Sequence, residues 1–266
     1  YYPGINNKDF NKLVYETSEF NEIKIPVFEP FPSKKGDLMS HQNLIRRLLS
    51  SYTPYDGILL FHEMGTGKTC TTIAIVEKII SEDNGFSKFV YIASNEDLLI
   101  NFTNEFKKCS MTDSLINLGT LTTYRKFINR YSSPDNKALS QLNNTIIIID
   151  EIHNIRDSSV NYDDLHDILH KVKNAKILLL SGTPMMDQPY EIASVMNLLL
   201  PESQQLPVKN NFDKLFFNKN TLQNRNILQQ AFKGRVSYVK SMRTGVLKNY
   251  IGEKRPGFNM ILDSSY

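Results

Sequence analysis

A short apolar run that leads into a glycine-containing loop and then a long apolar-rich segment restricts the fold of this chain more than any other feature. The run is Leu59–Phe61, the loop holds Gly65 and Gly67, and Lys68 and Thr69 open the segment that follows. A strand, a loop and a helix in this order can bind a triphosphate, because glycines let backbone N–H groups approach phosphate oxygens. The N-terminus of the helix adds a partial positive charge.

Two side chains of this loop have defined roles in such a site. The Lys68 ammonium group would reach the β- and γ-phosphates, and the Thr69 hydroxyl would hold a Mg²⁺ ion. The full G-x-x-x-x-G-K-[ST] pattern requires glycine at position 62, where this chain has His62. At this point a purely structural turn between a strand and a helix remains an alternative to a nucleotide site.

The composition is that of an ordinary globular protein, with 266 residues of which 41% are apolar and 22% charged. Two cysteines, Cys70 and Cys109, argue against a disulfide framework and indicate a reducing compartment. We expect Cys70 to be a small packed residue without a redox role. No apolar run approaches the ~18 residues of a membrane span, and no basic-then-apolar leader opens the chain. It begins at Tyr1 and not at Met, as a processed or excised piece would.

The charge is distributed unevenly along the chain. Residues 1–200 contain 20 Lys+Arg and 24 Asp+Glu, whereas residues 201–266 contain 11 and 4. A segment this basic can follow a phosphate backbone. A solvated, lysine-rich surface is an equally good interpretation of the same composition.

The N-terminal region predicts an arm followed by an amphipathic helix. Residues 1–37 contain four prolines, so we expect an extended arm with one short helix near Phe10–Phe20. Ser40–Leu49 has the periodicity of an amphipathic helix, with Ser40 as its N-cap. Gln42 in that helix could read an adenine edge, since its amide both donates and accepts hydrogen bonds. A solvent-facing glutamine is the alternative.

Strands and helices alternate beyond the glycine loop. We predict strands at Phe89–Ala93, Ile116–Leu118, Thr145–Ile149 and Lys176–Leu180, and helices at Lys68–Ile80, Glu96–Lys108, from Tyr124 to about Tyr131, Asp163–Val172 and Glu191–Leu200. This order indicates an α/β fold, a parallel sheet with helices on both faces. Ligands of such sheets bind beyond the carboxyl ends of the strands. The phosphate loop, Ser94-Asn95, Asp150-Glu151 and Ser181–Thr183 all fall there.

An acidic pair follows the most apolar predicted strand. Asp150 comes directly after four consecutive isoleucines, where a Mg²⁺-coordinating carboxylate belongs in a phosphoryl-transfer site. Glu151 beside it is then the candidate for polarising the attacking water. Capping of the next helix by the two acids is the alternative.

Three motifs in the correct order resemble motifs I, II and III of the superfamily-2 (DEAD/DEAH-like) helicases. They are Gly65–Thr69, Asp150–His153 and Ser181–Thr183, while Ser94-Asn95 and Thr122–Tyr124 resemble motifs Ia and Ib. The resemblance covers roughly residues 40–200. It implies a RecA-like P-loop domain at residues 38–201, with the arm at 1–37 before it. A basic helical extension or linker would follow at 202–266.

The resemblance also implies a role for individual residues. ATP would be bound by Gln42, His62, Glu63, Met64, Gly65, Thr66, Gly67, Lys68 and Thr69, with Mg²⁺ held by Thr69 and Asp150. Lys68, Asp150 and Glu151 would be catalytic. Coupling of nucleotide state to nucleic acid would involve His153, Ser181, Gly182 and Thr183. Contacts with the nucleic-acid backbone would involve Ser94, Asn95, Thr122 and Thr123.

One branch of the superfamily is similar over longer stretches. Phe61–Thr69, Asp150–Arg156, Ser181–Met185, Met196–Pro201 and Lys233–Tyr238 resemble the early transcription factor and nucleoside triphosphatase I helicases of poxviruses and other large cytoplasmic DNA viruses. That resemblance implies an ATP-dependent DNA helicase or translocase acting in viral early transcription, in the host cytoplasm and the virion. Its partners would be nucleic acid, with DNA favoured over RNA, and a viral RNA polymerase or transcription-factor subunit, but no membrane.

A superfamily-2 motor also needs a second RecA-like domain, which supplies an arginine to the transition state. After Pro201 we find one apolar-periodic segment, Leu215–Phe232, and a basic tail. An arginine finger is worth ~10³–10⁵ in rate, so we expect these 266 residues to bind ATP and hydrolyse it slowly. An RNA helicase, a restriction-enzyme motor subunit, and a non-catalytic nucleic-acid- or polymerase-binding module with a vestigial ATPase fold remain alternatives.

Overall fold

The computed structural model describes residues 2–23, 34–63, 65–132, 136–155, 160–185, 187–219, 221–240, 253–254 and 261–262. The α-helices are α1 Phe10–Glu16, α2 Ser18–Asn21, α3 Ser40–Leu48, α4 Lys68–Ser81, α5 Glu96–Cys109, α6 Tyr124–Tyr131, α7 Asn136–Ser140, α8 Val160–Lys171, α9 Glu191–Asn197, α10 Asn210–Phe216 and α11 Arg225–Phe232. Short 3₁₀ helices cover Asp113–Leu118, Ile152–Asn154 and Glu202–Gln204. None of the described helices is long and apolar enough to cross a membrane.

The strands are β1 Gly57–His62, β2 Lys88–Ala93, β3 Gly119–Thr123, β4 Thr145–Ile149, β5 Lys176–Ser181, β6 Phe217–Asn218, β7 Thr221–Leu222, β8 Val236–Val239, β9 Glu253–Lys254 and β10 Ile261–Leu262. Six of them form one sheet in the order β3-β2-β4-β5-β1-β8, and every neighbouring pair in it is parallel. The predicted α/β class with a parallel sheet is therefore confirmed.

Helices cover both faces of this sheet, and the central strands β1, β2, β4 and β5 contribute residues to two separate cores. Ile147 and Ile149 of β4 pack with α6, α8, α9 and α10, whereas Ile146 and Ile148 pack with α3, α4 and α5. All four isoleucines are fully buried. A continuous apolar run is what a strand covered on both faces requires.

The predicted strand at Ile116–Leu118 is wrong. Residues 113–118 form a 3₁₀ helix, and β3 begins at Gly119. The reason is a close approach to β2, since a Cβ at Gly119 would lie 2.2 Å from the Phe89 ring. The strand can pass this ring only where the chain has no side chain.

The basic region after Pro201 is not a purely helical extension. It contains α10 and α11, but Val236–Val239 return as β8 and pair with Leu59–His62 of β1. The prediction of a helical extension is therefore wrong at β8, and this segment belongs to the sheet that carries the site. A four-residue strand at the edge of the sheet gives too short a pattern to separate it from a loop.

The N-terminal arm packs onto the domain. α1 and α2 lie within the predicted Phe10–Phe20 region, and both of these phenylalanines are buried. The Tyr55 hydroxyl donates to the Pro3 carbonyl oxygen at 2.9 Å, and the Phe10 ring lies edge-on to Tyr55. Pro26, Pro30 and Pro32, on which the extended form of the arm was predicted, lie outside the described residues.

Candidate nucleotide-binding site

The loop between β1 and α4 has the backbone conformation of a phosphate cradle. Gly65 and Gly67 adopt φ angles of +80° and +79°, which favour glycine. A Cβ at Gly67 would also lie 2.4 Å from the Gln42 side-chain nitrogen. The first helical bond of α4 runs from the Thr71 N–H to the Gly67 carbonyl, so helix geometry leaves the three preceding N–H groups free to bind an anion. Met64 lies outside the described residues.

His62 occupies the position where the full pattern has glycine, and its side chain turns away from the cradle. It is the last residue of β1 and is fully buried. Its Nε2 lies 2.8 Å from the Ser237 hydroxyl of β8. Burial, together with the charges of His41 and Lys68, lowers the pKa of His62 to about 4, so the ring is neutral at pH 7. Glycine is not needed here because this residue continues the strand and its ring packs against β8. The predicted part of His62 in nucleotide binding stays a prediction.

Gln42 connects the amphipathic helix to the cradle. α3 begins at Ser40 and its N-cap is Met39. The predicted N-cap, Ser40, is therefore one residue too far along the chain. The Gln42 carbonyl oxygen accepts from the Met39 N–H at 2.9 Å, and its amide nitrogen donates to the Gly67 carbonyl at 3.2 Å. The side chain is buried, which excludes the solvent-facing alternative. One amide hydrogen and one oxygen lone pair remain for a ligand.

Lys68 brings the first and third motifs together. Its Nζ donates to the His62 carbonyl at 2.7 Å, and a Cβ on Gly182 would lie 3.4 Å from it. Gly182 therefore packs beside the ammonium group without filling the space in front of it. Thr69 is half-buried in the first turn of α4, next to the free N–H groups.

Asp150 is held by two tyrosines that the sequence pattern did not single out. The Tyr91 hydroxyl donates to Asp150 Oδ2 at 2.5 Å, and the Glu151 N–H donates to Oδ1 at 3.0 Å. The Tyr124 hydroxyl donates to the Asp150 carbonyl oxygen. Tyr91 lies on β2, the neighbour of β4, and its ring stacks on Phe102. The carboxylate thus has a single supported orientation.

The charge balance at Asp150 suits a site for a divalent cation. Burial raises the pKa of the Asp150 carboxyl, while the hydrogen bonds from Tyr91 and the Glu151 N–H and the charges of Lys68 and His153 oppose that rise. Each carboxylate oxygen accepts one of these bonds and keeps a lone pair. A carboxylate with a nearby hydroxyl and phosphate oxygens is the ligand set that Mg²⁺ prefers, so Asp150 and Thr69 fit this ion.

Three of the residues predicted to couple nucleotide state to nucleic acid form one network with Glu151; they are His153, Ser181 and Thr183. His153 Nδ1 lies 3.2 Å from a Glu151 carboxylate oxygen and 2.9 Å from the Ser181 hydroxyl. The Thr183 N–H donates to the same hydroxyl at 3.0 Å. Glu151 adopts φ +48°, an uncommon conformation for a non-glycine residue. These contacts connect Glu151 through His153 to the end of β5.

The predicted nucleic-acid residues lie at the ends of two paired strands. Ile92 and Ala93 of β2 pair with Thr122 and Thr123 of β3, and Ser94 and Asn95 follow directly after β2. Ser94 and Asn95 are exposed. Asn95 also caps α5, since its side-chain oxygen accepts from the Leu98 N–H at 3.0 Å. The Asn95 oxygen therefore has a structural partner, and its amide nitrogen donates to the Ser94 hydroxyl at 3.5 Å.

The two cysteines do not behave as predicted from the sequence. Cys70 of α4 and Cys109 of α5 are joined by a disulfide bond, with Cα atoms 5.3 Å apart. The expectation that Cys70 has no redox partner is wrong. The 39 residues between the cysteines give no local pattern that pairs them, and the contact depends on the packing of α4 against α5.

Replacing Tyr91 by phenylalanine tests the support of Asp150. We expect Tyr91→Phe to lower the free energy of unfolding at neutral pH by about 1.5–3 kcal/mol, since it removes a hydrogen bond to a buried charge and retains the stacked ring. That bond favours the charged carboxylate, so its stabilising effect is lost as the pH falls through the pKa of Asp150, which burial holds above its ordinary value. Urea denaturation at several pH values measures both effects.

Tyr52→Phe is the matched control, because Tyr52 is 62% exposed and we expect its loss to stay within about 0.5 kcal/mol. An equally small and pH-independent change for Tyr91→Phe would show that Tyr91 does not hold the carboxylate.

Comparison with known proteins identifies the family of this chain. Residues 37–186 match the family described as "Type III restriction enzyme, res subunit". A candidate helicase, 087L of Invertebrate iridescent virus 3, is 32% identical over 97% of this chain and 28% of its own length. The early transcription factor 70 kDa subunit of Yaba monkey tumor virus is 29% identical over 74% of this chain and 31% of its own length.

A third relative, a candidate ATP-dependent RNA helicase named R563 from Acanthamoeba polyphaga mimivirus, is 27% identical over 90% of this chain and 48% of its own. The chain therefore spans less than half the length of each of these three relatives. Among solved structures, the Sulfolobus solfataricus SWI2/SNF2 ATPase core in complex with dsDNA superposes with a TM-score of 0.59 at 21% identity. It covers 82% of this chain and 47% of that one, which supports the same fold. The chain belongs to the family described as the type III restriction enzyme res subunit and has a RecA-like α/β fold.

Proposed function

We propose that this chain is the ATP-binding motor domain of a DNA helicase or translocase that acts in viral early transcription. The observation that carries the proposal is the convergence of three distant motifs on one cradle. Lys68 lies beside Gly182, and its charge acts on Asp150. Asp150 and Glu151 in turn adjoin the network of His153 and Ser181. A structural turn or a helix cap would not require this convergence.

In this proposal each residue has a chemical role. Lys68, Gly67 and the free N–H groups of α4 bind the phosphates, and Gln42 contacts the base. Thr69 and Asp150 hold Mg²⁺, which when bound neutralises phosphate charge. Glu151 orients and deprotonates the attacking water. His153, Ser181 and Thr183 carry the change at Glu151 to the ends of the strands, where Ser94, Asn95, Thr122 and Thr123 meet the nucleic-acid backbone.

The substrate and partner follow from the relatives and are part of the proposal. One relative is an early transcription factor subunit and others are named as RNA helicases, while a structure of the same fold was solved with duplex DNA. The early transcription factor similarity favours DNA, a viral RNA polymerase or transcription-factor partner, and action in the host cytoplasm and virion. An RNA helicase is the second candidate, and a non-catalytic binding module is the third.

The proposal is tested by measuring ATP hydrolysis by this chain and by the full-length protein. Single-stranded DNA, duplex DNA and RNA are each added to find which one stimulates the rate. We expect residues 1–266 to bind MgATP and turn it over slowly. In the full-length protein, an arginine from a second RecA-like domain would raise the rate by ~10³–10⁵. DNA should stimulate the full-length protein more than RNA does.

Three outcomes would change the proposal. Stronger stimulation by RNA would favour the RNA helicase. Rapid, nucleic-acid-stimulated turnover by residues 1–266 would remove the requirement for a second domain. Absence of nucleotide binding would favour the non-catalytic module, which retains the fold and not the chemistry.

A further inference from the structure

The Cys70–Cys109 disulfide lies in the wall of the cavity next to the phosphate loop. This cavity has a volume of about 240 Å³ and is lined by both cysteines, by Gln42 and by Gly65–Gly67. Cys70 is the third residue of α4, so its N–H is one of the three that the helix leaves free for an anion. The disulfide therefore connects the cradle itself to the end of α5.

The chain that follows Cys109 is attached to α4 by a second, independent set of contacts. The carboxylate of Glu77 accepts from the Ser110 hydroxyl at 2.5 Å, from the Met111 N–H at 2.8 Å and from the Thr112 N–H at 3.1 Å. These bonds keep the end of α5 beside α4 whether or not the sulfur atoms are bonded. Opening the disulfide would therefore change the cavity wall locally and leave the helix packing in place.

The opposite wall of the cavity, residues 34–39, contacts the segment that follows Cys109. Lys35 pairs with Asp113 at 2.8 Å, and a Cβ at Gly36 would lie 2.1 Å from the Met111 sulfur. Residues 34–39 then lead to Gln42, whose amide reaches Gly67. The phosphate loop, Gln42, residues 34–39, residues 109–113 and the disulfide thus form a closed ring around the cavity.

We propose that Cys70 and Cys109 are a reversible thiol–disulfide pair that sets the affinity of this cavity for nucleotide. The inference rests on the proposed function, which assigns the cavity to ATP. In the oxidised state the ring is closed, so nucleotide binding restricts little further motion of the cavity wall. In the reduced state the two cysteine side chains gain freedom that the nucleotide must remove, while Glu77 still holds residues 110–112, and binding weakens.

The redox step needs an external disulfide such as oxidised glutathione. The Cys70 or Cys109 thiolate attacks that disulfide, one glutathione thiol leaves, and the second cysteine displaces the other glutathione as the Cys70–Cys109 bond forms. Two protein thiols are oxidised and two glutathione thiols are produced. Both cysteines are half-buried, so a small thiol reagent can reach them.

Glu105 allows one competing interpretation. Its carboxylate and the two sulfur atoms lie within 4.8 Å of one another, the arrangement of a three-ligand metal site. Metal binding needs both cysteines as thiolates, whereas here the sulfur atoms are bonded to each other. We therefore take the bonded pair as the starting state and test the metal site as its alternative.

The experiment compares the chain after treatment with oxidised glutathione and with dithiothreitol, with free thiols counted by alkylation and mass spectrometry. We expect the oxidised form to bind a fluorescent ATP analogue about three- to tenfold more tightly. Cys109→Ser keeps the cradle residue Cys70 and should bind like the reduced wild type after dithiothreitol. After oxidised glutathione its single thiol can carry only a mixed disulfide, which mass spectrometry identifies.

Equal affinity of the two wild-type forms, or a thiol count that shows no bond after oxidation, would overturn the inference. Stoichiometric Zn²⁺ held by the reduced wild type and lost in Cys109→Ser would replace it with a metal site. If neither form binds ATP, the proposed function fails, and hydrogen exchange then decides the inference separately. Slower amide exchange at residues 68–71 after oxidation would show that the disulfide restricts the cavity wall. Unchanged exchange would contradict the inference.

Discussion

Lys68→Ala is expected to lower the affinity of this chain for MgATP by at least about 100-fold, or about 3 kcal/mol. The ammonium group lies where the loop, α4 and Gly182 meet, so it would contact the phosphates as a charged donor. In the structure the ammonium group donates to the His62 carbonyl, and water can reach that carbonyl once the side chain is shortened. The folded structure should therefore survive, with unfolding free energy changed by no more than about 1 kcal/mol.

A fluorescent ATP analogue titrated into wild type and variant measures this loss. Lys171→Ala is the matched control, because Lys171 ends α8, is 61% exposed and pairs with Asp167 on the same helix. We expect its affinity for the analogue to match that of the wild type. Affinity of Lys68→Ala within threefold of the wild type would mean that nucleotide does not bind at this loop.

Glu151→Gln is expected to separate binding from hydrolysis. The carboxylate would act as the base that takes a proton from the attacking water, and its replacement by an amide should reduce the hydrolysis rate by about 10²–10⁴. The amide retains the size of the side chain and can still contact His153, so ATP affinity should change by less than about twofold. Single-turnover hydrolysis with the chain in excess over labelled ATP measures the chemical step directly.

Glu202→Gln provides the control, since Glu202 is exposed in the 3₁₀ helix after Pro201. It should hydrolyse ATP at the wild-type rate. If Glu151→Gln hydrolysed ATP as fast as the wild type, another group would have to activate the water. Loss of ATP binding in Glu151→Gln would instead indicate that the carboxylate supports the cradle.

The elements that bear the site could be predicted because their signals are local. Four consecutive isoleucines indicate a strand buried on both faces, and the glycines at positions 65 and 67 indicate a loop with left-handed backbone. The parallel sheet followed from the alternation of such strands with helices. It placed Lys68, Asp150 and Ser181 at one edge without reference to any long-range contact.

The partners of these residues depended on which strands became neighbours. Tyr91 reaches Asp150 because β2 and β4 pair in parallel with Ile92 opposite Ile149. A tyrosine in an apolar strand otherwise has the pattern of an ordinary core residue. In the same way, Ser237 reaches His62 because β8 adds to the edge of β1. This contact explains why the loop accepts histidine where glycine was expected.

Local sequence patterns identify the strand–loop–helix unit, the acidic pair after the isoleucine strand and the order of the motifs. Short-range periodicity and backbone preference encode these features within about ten residues. The folded chain was needed to show that Gln42 contacts the cradle, that Tyr91 orients Asp150 and that Cys70 meets Cys109. These contacts join residues 25, 59 and 39 positions apart. They form because strand order and helix packing bring those side chains together, which no local pattern specifies.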